Sequence, residues 1–402
     1  MNWSNEAGLE VGQDVRSKAR AGLGLVADWA ARNQGRHAWP RWSANTGRFP
    51  YLVHLPTNDH FQSTSWNTAR MIQGLLSAYT VFRKPEHLYA IDCALEYVKS
   101  IQYFGPEAPE AHGLFLAETP LSDHCGIRDG IECAQALMAH HLVCGDKVSL
   151  VRAKAFLDRF VTMMENGSWP EVALWVVPRL SPSQFITKAW PKQAVPERFC
   201  DYVCALPLLQ LALLTNDAKY TAAAEKLGGY ILEYLLKPDG RLCAKNSGHH
   251  TSSADGTLDN DDGVVLTLVA LHKQTGRKAF LDAARANADW WLARPSLPKN
   301  FSALPLLTMI LADVARATGE KRYLQHLVER APEFFAHQIT RDERPLVSGA
   351  FRGEDMATHY RQGSTAADFI SLRSTSYGAL ALGRLACGGE KEWNPSYSAF
   401  GW

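Results

Sequence analysis

Arg198-Phe-Cys-Asp201-Tyr-Val-Cys-Ala-Leu-Pro-Leu-Leu-Gln-Leu-Ala-Leu-Leu-Thr-Asn-Asp217 opens near a single carboxylate, continues as a helix apolar around nearly its whole circumference, and ends in a short polar turn. A helix of that composition cannot face water and has to be enclosed by other elements. The same plan recurs elsewhere. Buried helices are predicted from Thr68 to the stop signal Arg83-Lys-Pro85, and over about 129–143, 201–214, 260–274, 301–317 and 373–387. Amphipathic helices alternate with them, from Asp14 to Asn33 and over about 86–103, 148–165, 218–236, 277–293 and 320–338. The turns joining a buried helix to the next amphipathic one are alike: Thr215-Asn-Asp-Ala-Lys-Tyr220, Thr275-Gly-Arg-Lys-Ala-Phe280 and Thr318-Gly-Glu-Lys-Arg-Tyr323. Each places an aromatic ring five residues after its threonine. Even the apolar text returns, Ala205-Leu-Pro-Leu-Leu as Ala303-Leu-Pro-Leu-Leu.

Recurrence in fixed order, at a period of tens of residues, marks stacked helical hairpins that cannot bury their apolar sides alone. Six hairpins can make an open solenoid or a closed ring. Inner helices apolar almost all round favour the ring. The fold expected is all-α: an (α/α)6 toroid, six inner helices enclosed by six outer ones, as one domain over residues 1–402.

With 402 residues and 46% apolar content the chain can bury a large core, and no segment has a low-complexity composition. A net charge of +1 without a basic run argues against a nucleic-acid footprint. No apolar core follows Met1-Asn-Trp-Ser-Asn-Glu6, and no apolar run nears the ~18 residues of a membrane span, so a soluble cytoplasmic protein is expected. The eight cysteines are scattered, with no Cys-x-x-Cys pair, and read as reduced thiols, several of them in the core. A homodimer is compatible with all of this.

The loops are lopsided. Those from inner to outer helices are a few residues long, whereas those leading into the inner helices span 34–65, 105–128, 166–200, 237–258 and 339–372. Long loops in a compact domain are usually functional. These gather at the N-terminal ends of the inner helices, where free N–H groups and partial positive charge favour anionic ligands.

The residues at that face carry the candidate chemistry: Trp66-Asn67 and Arg70; Arg128-Asp129-Gly130 and Glu132; Arg198 and Asp201; Asp259-Asn-Asp261-Asp262-Gly263; Arg373-Ser-Thr-Ser-Tyr377. Helix capping is the plain structural role for Asp129 or Asp259. Asp201 goes further. Aligning the copies on their closing threonines sets it opposite Asp261 and Leu304, so the scaffold tolerates an apolar residue there. Burial at the mouth of an apolar ring raises its pKa while a helix N-terminus and Arg198 lower it, opposed influences that suit a general acid/base.

Arg70, Arg128, Arg198, Arg352, Arg361 and Arg373 fall at the same face, either paired with neighbouring acids or free to bind a carboxylate. Trp42 and Trp66 are among six tryptophans in or near the long loops, suited to stacking on sugar rings or to loop packing. Asp255-Gly-Thr-Leu-Asp-Asn-Asp-Asp-Gly263 has calcium-loop chemistry at the wrong spacing, with Ala270 where the bidentate Glu belongs. No metal or cofactor is expected. Of the histidine pairs, His140-His141 is helical and reads as structural, while His249-His250 lies on a long loop.

The text Asp201-Tyr-Val-Cys-Ala-Leu-Pro-Leu-Leu resembles the third inner helix of the unsaturated glucuronyl and rhamnogalacturonyl hydrolases, where an aspartate precedes a Leu-Pro-Leu-Leu-like run. The resemblance implies that Asp201 protonates the C4=C5 double bond of an unsaturated uronide and activates the water that adds to C5. It further implies that Asp129, in Arg128-Asp-Gly-Ile, holds sugar hydroxyls. A small acidic oligosaccharide is then the substrate. Arg128, Arg198, Arg352, Trp66, Trp42, Asp261, His249, His359, Tyr360 and Arg373 are the candidate binding residues. Polysaccharide lyases and uronate epimerases also use helical toroids, and His359-Tyr-Arg361, or Asn246 with His249, suits β-elimination. A non-catalytic toroid that binds a ligand or partner protein is the third reading.

Overall fold

Around α6 (Ala205–Thr215), Ala205, Leu206, Leu208, Leu209 and Leu211 are buried on successive sides of the helix. Only an enclosed helix can hide every side in this way. The computed structural model describes residues 11–35, 46–106, 108–120, 122, 124–165, 173–175, 205–242, 264–294, 303–353 and 361–386. Within it five further helices share that enclosure: α2 (Ser65–Phe82), α4 (Ile127–Cys144), α8 (Val264–Thr275), α10 (Ala303–Thr318) and α12 (Leu372–Ala386). Each packs on the next, and α12 packs back on α2, so the six close a ring. Gly74 permits that closure, because a Cβ there would lie 2.8 Å from the Cβ of Ala379 on α12.

Six helices with one buried face surround the ring: α1 (Gln13–Asn33), α3 (Pro85–Ser100), α5 (Lys147–Glu165), α7 (Ala218–Tyr230, prolonged by a π turn over Ile231–Leu235), α9 (Lys278–Leu292) and α11 (Lys321–Ala336). Five of them cover the inner helix that precedes them. The first, α1, covers the last inner helix, α12. The fold is therefore the expected (α/α)6 toroid.

Each inner helix from α2 to α10 ends in a two-residue turn whose first residue is left-handed: Arg83 (φ 54°), Gly145 (74°), Asn216 (53°), Gly276 (71°) and Gly319 (75°). A left-handed residue after the last turn closes a helix by satisfying its free carbonyls. The aromatic rings of the repeated turns, Tyr220, Phe280 and Tyr323, are fully buried, and two of them staple neighbouring outer helices. Tyr220 Oη donates to Asp158 on α5 at 2.5 Å, and Tyr323 Oη to Asp289 on α9 at 2.7 Å.

At the other end a second repeat appears that sequence reading missed. Gln34, Gln102 and Gln338 each follow an outer helix, and each side-chain amide donates twice. One bond goes to the carbonyl of a glycine in its own loop, Gly47, Gly113 or Gly349. The other goes to the neighbouring outer helix, at Ala90, Arg152 or Gly22. These glycines have φ of 84°, 89° and 104° and lie against that helix's backbone, where a Cβ would meet a carbonyl oxygen at 2.2–2.7 Å.

The loop before α2 is not structureless. It contains β1 (Pro50–His54) and β2 (His60–Gln62), and β1 also pairs antiparallel with β5 (Phe369–Ser371), Leu52 opposite Ser371. A second pair joins β3 (His124–Gly126) to β4 (Ala173–Trp175). Because β3 and β5 run straight into α4 and α12, the two small sheets fix where those helices begin.

Candidate functional site

Three adjacent inner helices start in step. Counting from their first residues, the third positions are Asn67, Asp129 and Ser374, and the sixth are Arg70, Glu132 and Tyr377. One turn deeper still are Gln73 and Gln135. Polar residues at intervals of three share one side of a helix, and those of α2 and α4 meet each other at Arg70 and Glu132, while Ser374 Oγ donates to Gly353 O at 2.6 Å.

The sixth-position layer forms a buried floor beneath these three helix starts. Arg70 Nη2 lies 2.5 Å from Glu132 Oε1, with Nε at 3.2 Å from the same oxygen, and both side chains are almost wholly buried. The guanidinium also sits 4.1 Å from the ring centroid of Tyr377 and 4.7 Å from that of Trp66. Arg70 is thus committed to Glu132 and two aromatic faces. A buried pair of this kind offers little net stability, but removing one partner strands a charge.

Above the floor, Asp129 is half-buried and folds back over Gly126, the residue that precedes α4. A Cβ at position 126 would come within 2.9 Å of Asp129 Oδ2, so glycine makes room for the carboxylate. Its field reaches inward: burial above all, then the charges of Asp129 and Glu132, push the Cys133 thiol well up. Trp66, also half-buried, meets Tyr51 edge-on at 6.3 Å and forms part of the rim.

The other expected residues are distributed differently. Arg373 is half-buried in the first turn of α12, its N–H donating to Ser371 Oγ at 3.0 Å. Arg352 is exposed; its backbone N–H donates to His337 O, and its charge bears on Asp342 and His337, at the periphery of the long-loop face. Arg361 pairs with Asp59 at 3.0 Å and donates to Thr57. Arg128 is the second residue of α4, described here by its backbone alone. Asp201, Arg198, Trp42, Asp261, His249, His359 and Tyr360 lie outside the described residues, Asp201 four positions before the first described residue of α6.

Two structural expectations can be placed. His140 bonds Ser149 Oγ at 2.9 Å and His141 bonds Asp146 O at 3.0 Å, so the helical pair ties α4 to the start of α5. Cys93, Cys125, Cys133 and Cys144 are free thiols, and burial raises Cys125 to about 12. Among the described residues no helix is long and apolar enough to cross a membrane.

No protein-family model matches the chain, and a search of curated proteins finds no match. Solved structures do match. A sugar epimerase from a ruminal bacterium superposes with a TM-score of 0.65 at 12% identity, over 93% of this chain and 99% of that one. The unsaturated glucuronyl hydrolase of Bacillus sp. GL1, responsible for the degradation of glycosaminoglycan, gives 0.60 at 16%, over 91% and 96%. An inactive variant of the α-1,6-mannanase of Salegentibacter sp. HEL1_6, bound to α-1,6-mannotetraose, gives 0.56 at 12%, over 91% and 98%. At these identities the likeness is one of fold: this chain shares its toroid, over nearly full length, with carbohydrate-active enzymes of several reaction types.

Proposed function

We propose that this chain is a glycoside hydrolase acting on oligosaccharides that carry an acidic, uronate-type sugar. The observation that carries the reading is Asp129, a half-buried carboxylate at the start of an inner helix, one turn above the buried layer of Arg70, Glu132 and Tyr377. A sugar resting on that layer meets a fixed acceptor at Asp129 and an aromatic wall at Trp66. In this reading Asp201, just ahead of α6, is the general acid/base: it gives its proton to C4 of the unsaturated ring and takes one from the water that attacks C5. Arg128, Arg198 and Arg352 contribute positive potential to the face, which draws in an acidic ligand. The resemblance around Asp201 and the shared toroid of the glucuronyl hydrolase support the assignment.

A second reading, epimerase or lyase, is favoured by the superposition on a sugar epimerase. One assay separates the two. The protein is incubated with unsaturated and saturated uronides while the absorbance of the C4=C5 chromophore is followed. Loss of absorbance supports the hydrolase, and gain from a saturated substrate makes the chain a lyase. An unchanged signal with both removes hydrolysis of unsaturated uronides from consideration and leaves epimerisation or binding.

A further inference from the structure

Thr64 stands as the N-cap of α2, yet its side chain accepts no bond from the helix, and the first turn contains no acidic residue. The N–H groups of Ser65, Trp66 and Asn67 consequently have no acceptor among the described residues; the helical bonds begin with Thr68 N–H to Thr64 O at 3.2 Å. At an exposed helix end water would take their place. This end is not exposed, since Ser65 and Asn67 have no accessible surface, although Thr64 and Trp66 beside them remain half-buried.

The side chains add to the imbalance. Thr64 Oγ1, Ser65 Oγ and both amide atoms of Asn67 are buried without a hydrogen-bond partner. Asn67 is the third residue of the helix, a position whose side chain leans back toward the helix start, so its amide and the free N–H groups converge. Folded proteins leave few buried polar atoms unanswered, and several at one helix end are a site in need of an occupant.

The neighbouring α4 offers the comparison. The third residue of α4 is Asp129, whose carboxylate folds over the start of its own helix at Gly126. At the same position α2 has an amide, and so lacks the carboxylate that α4 provides for itself. We infer that the first turn of α2 is an anion seat, and that it receives the carboxylate of the acidic sugar. The donors are the N–H groups of residues 65–67, the hydroxyls of Thr64 and Ser65, and Asn67 Nδ2; the partial charge of the helix end balances the anion. Arg70, the cation nearest in sequence, is bound to Glu132 and lies against the rings of Trp66 and Tyr377. Since α2 and α4 pack side by side, with axes typically ~8–10 Å apart, one hexuronate ring can reach both the seat and Asp129. This assignment rests on the acidic-sugar reading and specifies which part of the chain performs the recognition.

Asn67→Asp gives α2 the group that α4 already has. The new carboxylate fills the seat from within, and, lying in a first helical turn, it favours folding. Calorimetric titrations of wild type, Asn67→Asp and Ser65→Ala would use sodium D-glucuronate and D-galacturonate, with D-glucose and D-galactose as neutral counterparts and thermal unfolding as the check on folding. Wild type is expected to bind one of the uronates at least 10-fold more tightly than its neutral counterpart. Asn67→Asp should abolish that preference without weakening the neutral sugar, and Ser65→Ala should reduce it several-fold. If wild type shows the preference and both variants retain it, the seat is elsewhere and the inference fails while the acidic-sugar reading stands. If wild type binds neither uronate better than its neutral counterpart, the acidic-sugar reading itself fails, and the seat with it. Should Asn67→Asp not fold, Ser65→Ala and Asn67→Ala decide the matter, since each deletes donors without adding charge.

Discussion

Removing either partner of the Arg70–Glu132 pair should be far more harmful than removing both. The two side chains are 1% and 2% exposed, and one glutamate oxygen takes both guanidinium bonds. Glu132→Leu takes the carboxylate away from the buried Arg70 guanidinium, which keeps its contacts with the faces of Tyr377 and Trp66. Breaking a buried pair in this way costs about 3–5 kcal/mol. Arg70→Met is expected in the same range, because it removes the buried cation that pairs with Glu132 and also forfeits a cation–π contact worth up to about 2 kcal/mol when desolvated. Arg70→Met/Glu132→Leu buries two apolar side chains of similar volume against the same rings, and such replacements are often neutral or stabilising. The double variant should therefore lie within about 2 kcal/mol of wild type, not at the sum of the single losses, giving a coupling energy at or above the upper end of the ~0.5–3 kcal/mol usual for residues in contact. Urea unfolding followed by tryptophan fluorescence, for all four members of the cycle at one pH, measures it. Additive losses, or single losses below about 1 kcal/mol, would refute the claim that the pair is a desolvated unit.

Three further outcomes are expected. Asp201→Asn should lower turnover of an unsaturated uronide by ~10²–10⁴-fold while leaving folding and ligand affinity nearly intact, and near-normal turnover would move the chemistry to another residue. Arg83 holds φ at 54°, a conformation costing an L-residue roughly 1–2 kcal/mol, so Arg83→Gly should stabilise the fold by up to about 1 kcal/mol after loss of the Arg83–Tyr79 ring contact; an unchanged or lowered urea midpoint would contradict this. Asp146 caps α5: burial raises its pKa, but bonds from Ser149 Oγ and the N–H groups of Ser149 and Val148, with the charge of Lys99, outweigh burial and hold it at about 2. A depressed carboxylate stabilises the fold above its unfolded pKa of about 3.9 and ceases to do so as pH falls toward 2. The gap in unfolding midpoint between wild type and Asp146→Ala should accordingly be present at pH 7 and narrow between pH 4 and pH 2.

The hairpins were legible because the demand on them is one-dimensional. A helix hidden on all sides must be apolar on all sides, and α6 and α10 show this in the repeated Ala-Leu-Pro-Leu-Leu. The rings five residues after each threonine were legible for the same reason, since a buried aromatic at a fixed turn is a spacing. What stayed hidden depends on where chains meet. Gln34, Gln102 and Gln338 look like surface residues after helices, and only the positions of Gly47, Gly113 and Gly349 beside the next outer helix reveal the clamp. In the candidate site, Asn67 and Arg70 were visible with Asp129 and Glu132 as polar residues at helix starts. Their pairing was not, because whether Arg70 faces a ligand or Glu132 is decided by how α2 and α4 stand side by side.

The closure of the ring bears on how the chain reaches its native state. Along the chain, neighbouring outer helices are joined by contacts between residues a few tens of positions apart, 34 for Tyr323 with Asp289, 50 for Gln102 with Arg152 and 62 for Tyr220 with Asp158. The last seam is different, for Trp29 Nε1 donates to Leu346 O across 317 residues, and Gln338 Nε2 to Gly22 O across 316. Hairpins can stack in turn as synthesis proceeds, but this seam waits for α11 and α12, with the inner sides of α1 and α2 uncovered in the meantime. Remote contacts form slowly because the intervening chain must first surrender its freedom, and incomplete intermediates with exposed apolar surface aggregate. The toroid is therefore a largely local fold with one long-range commitment, and damage at the Gln338 clamp should slow its folding more than the same damage at Gln102.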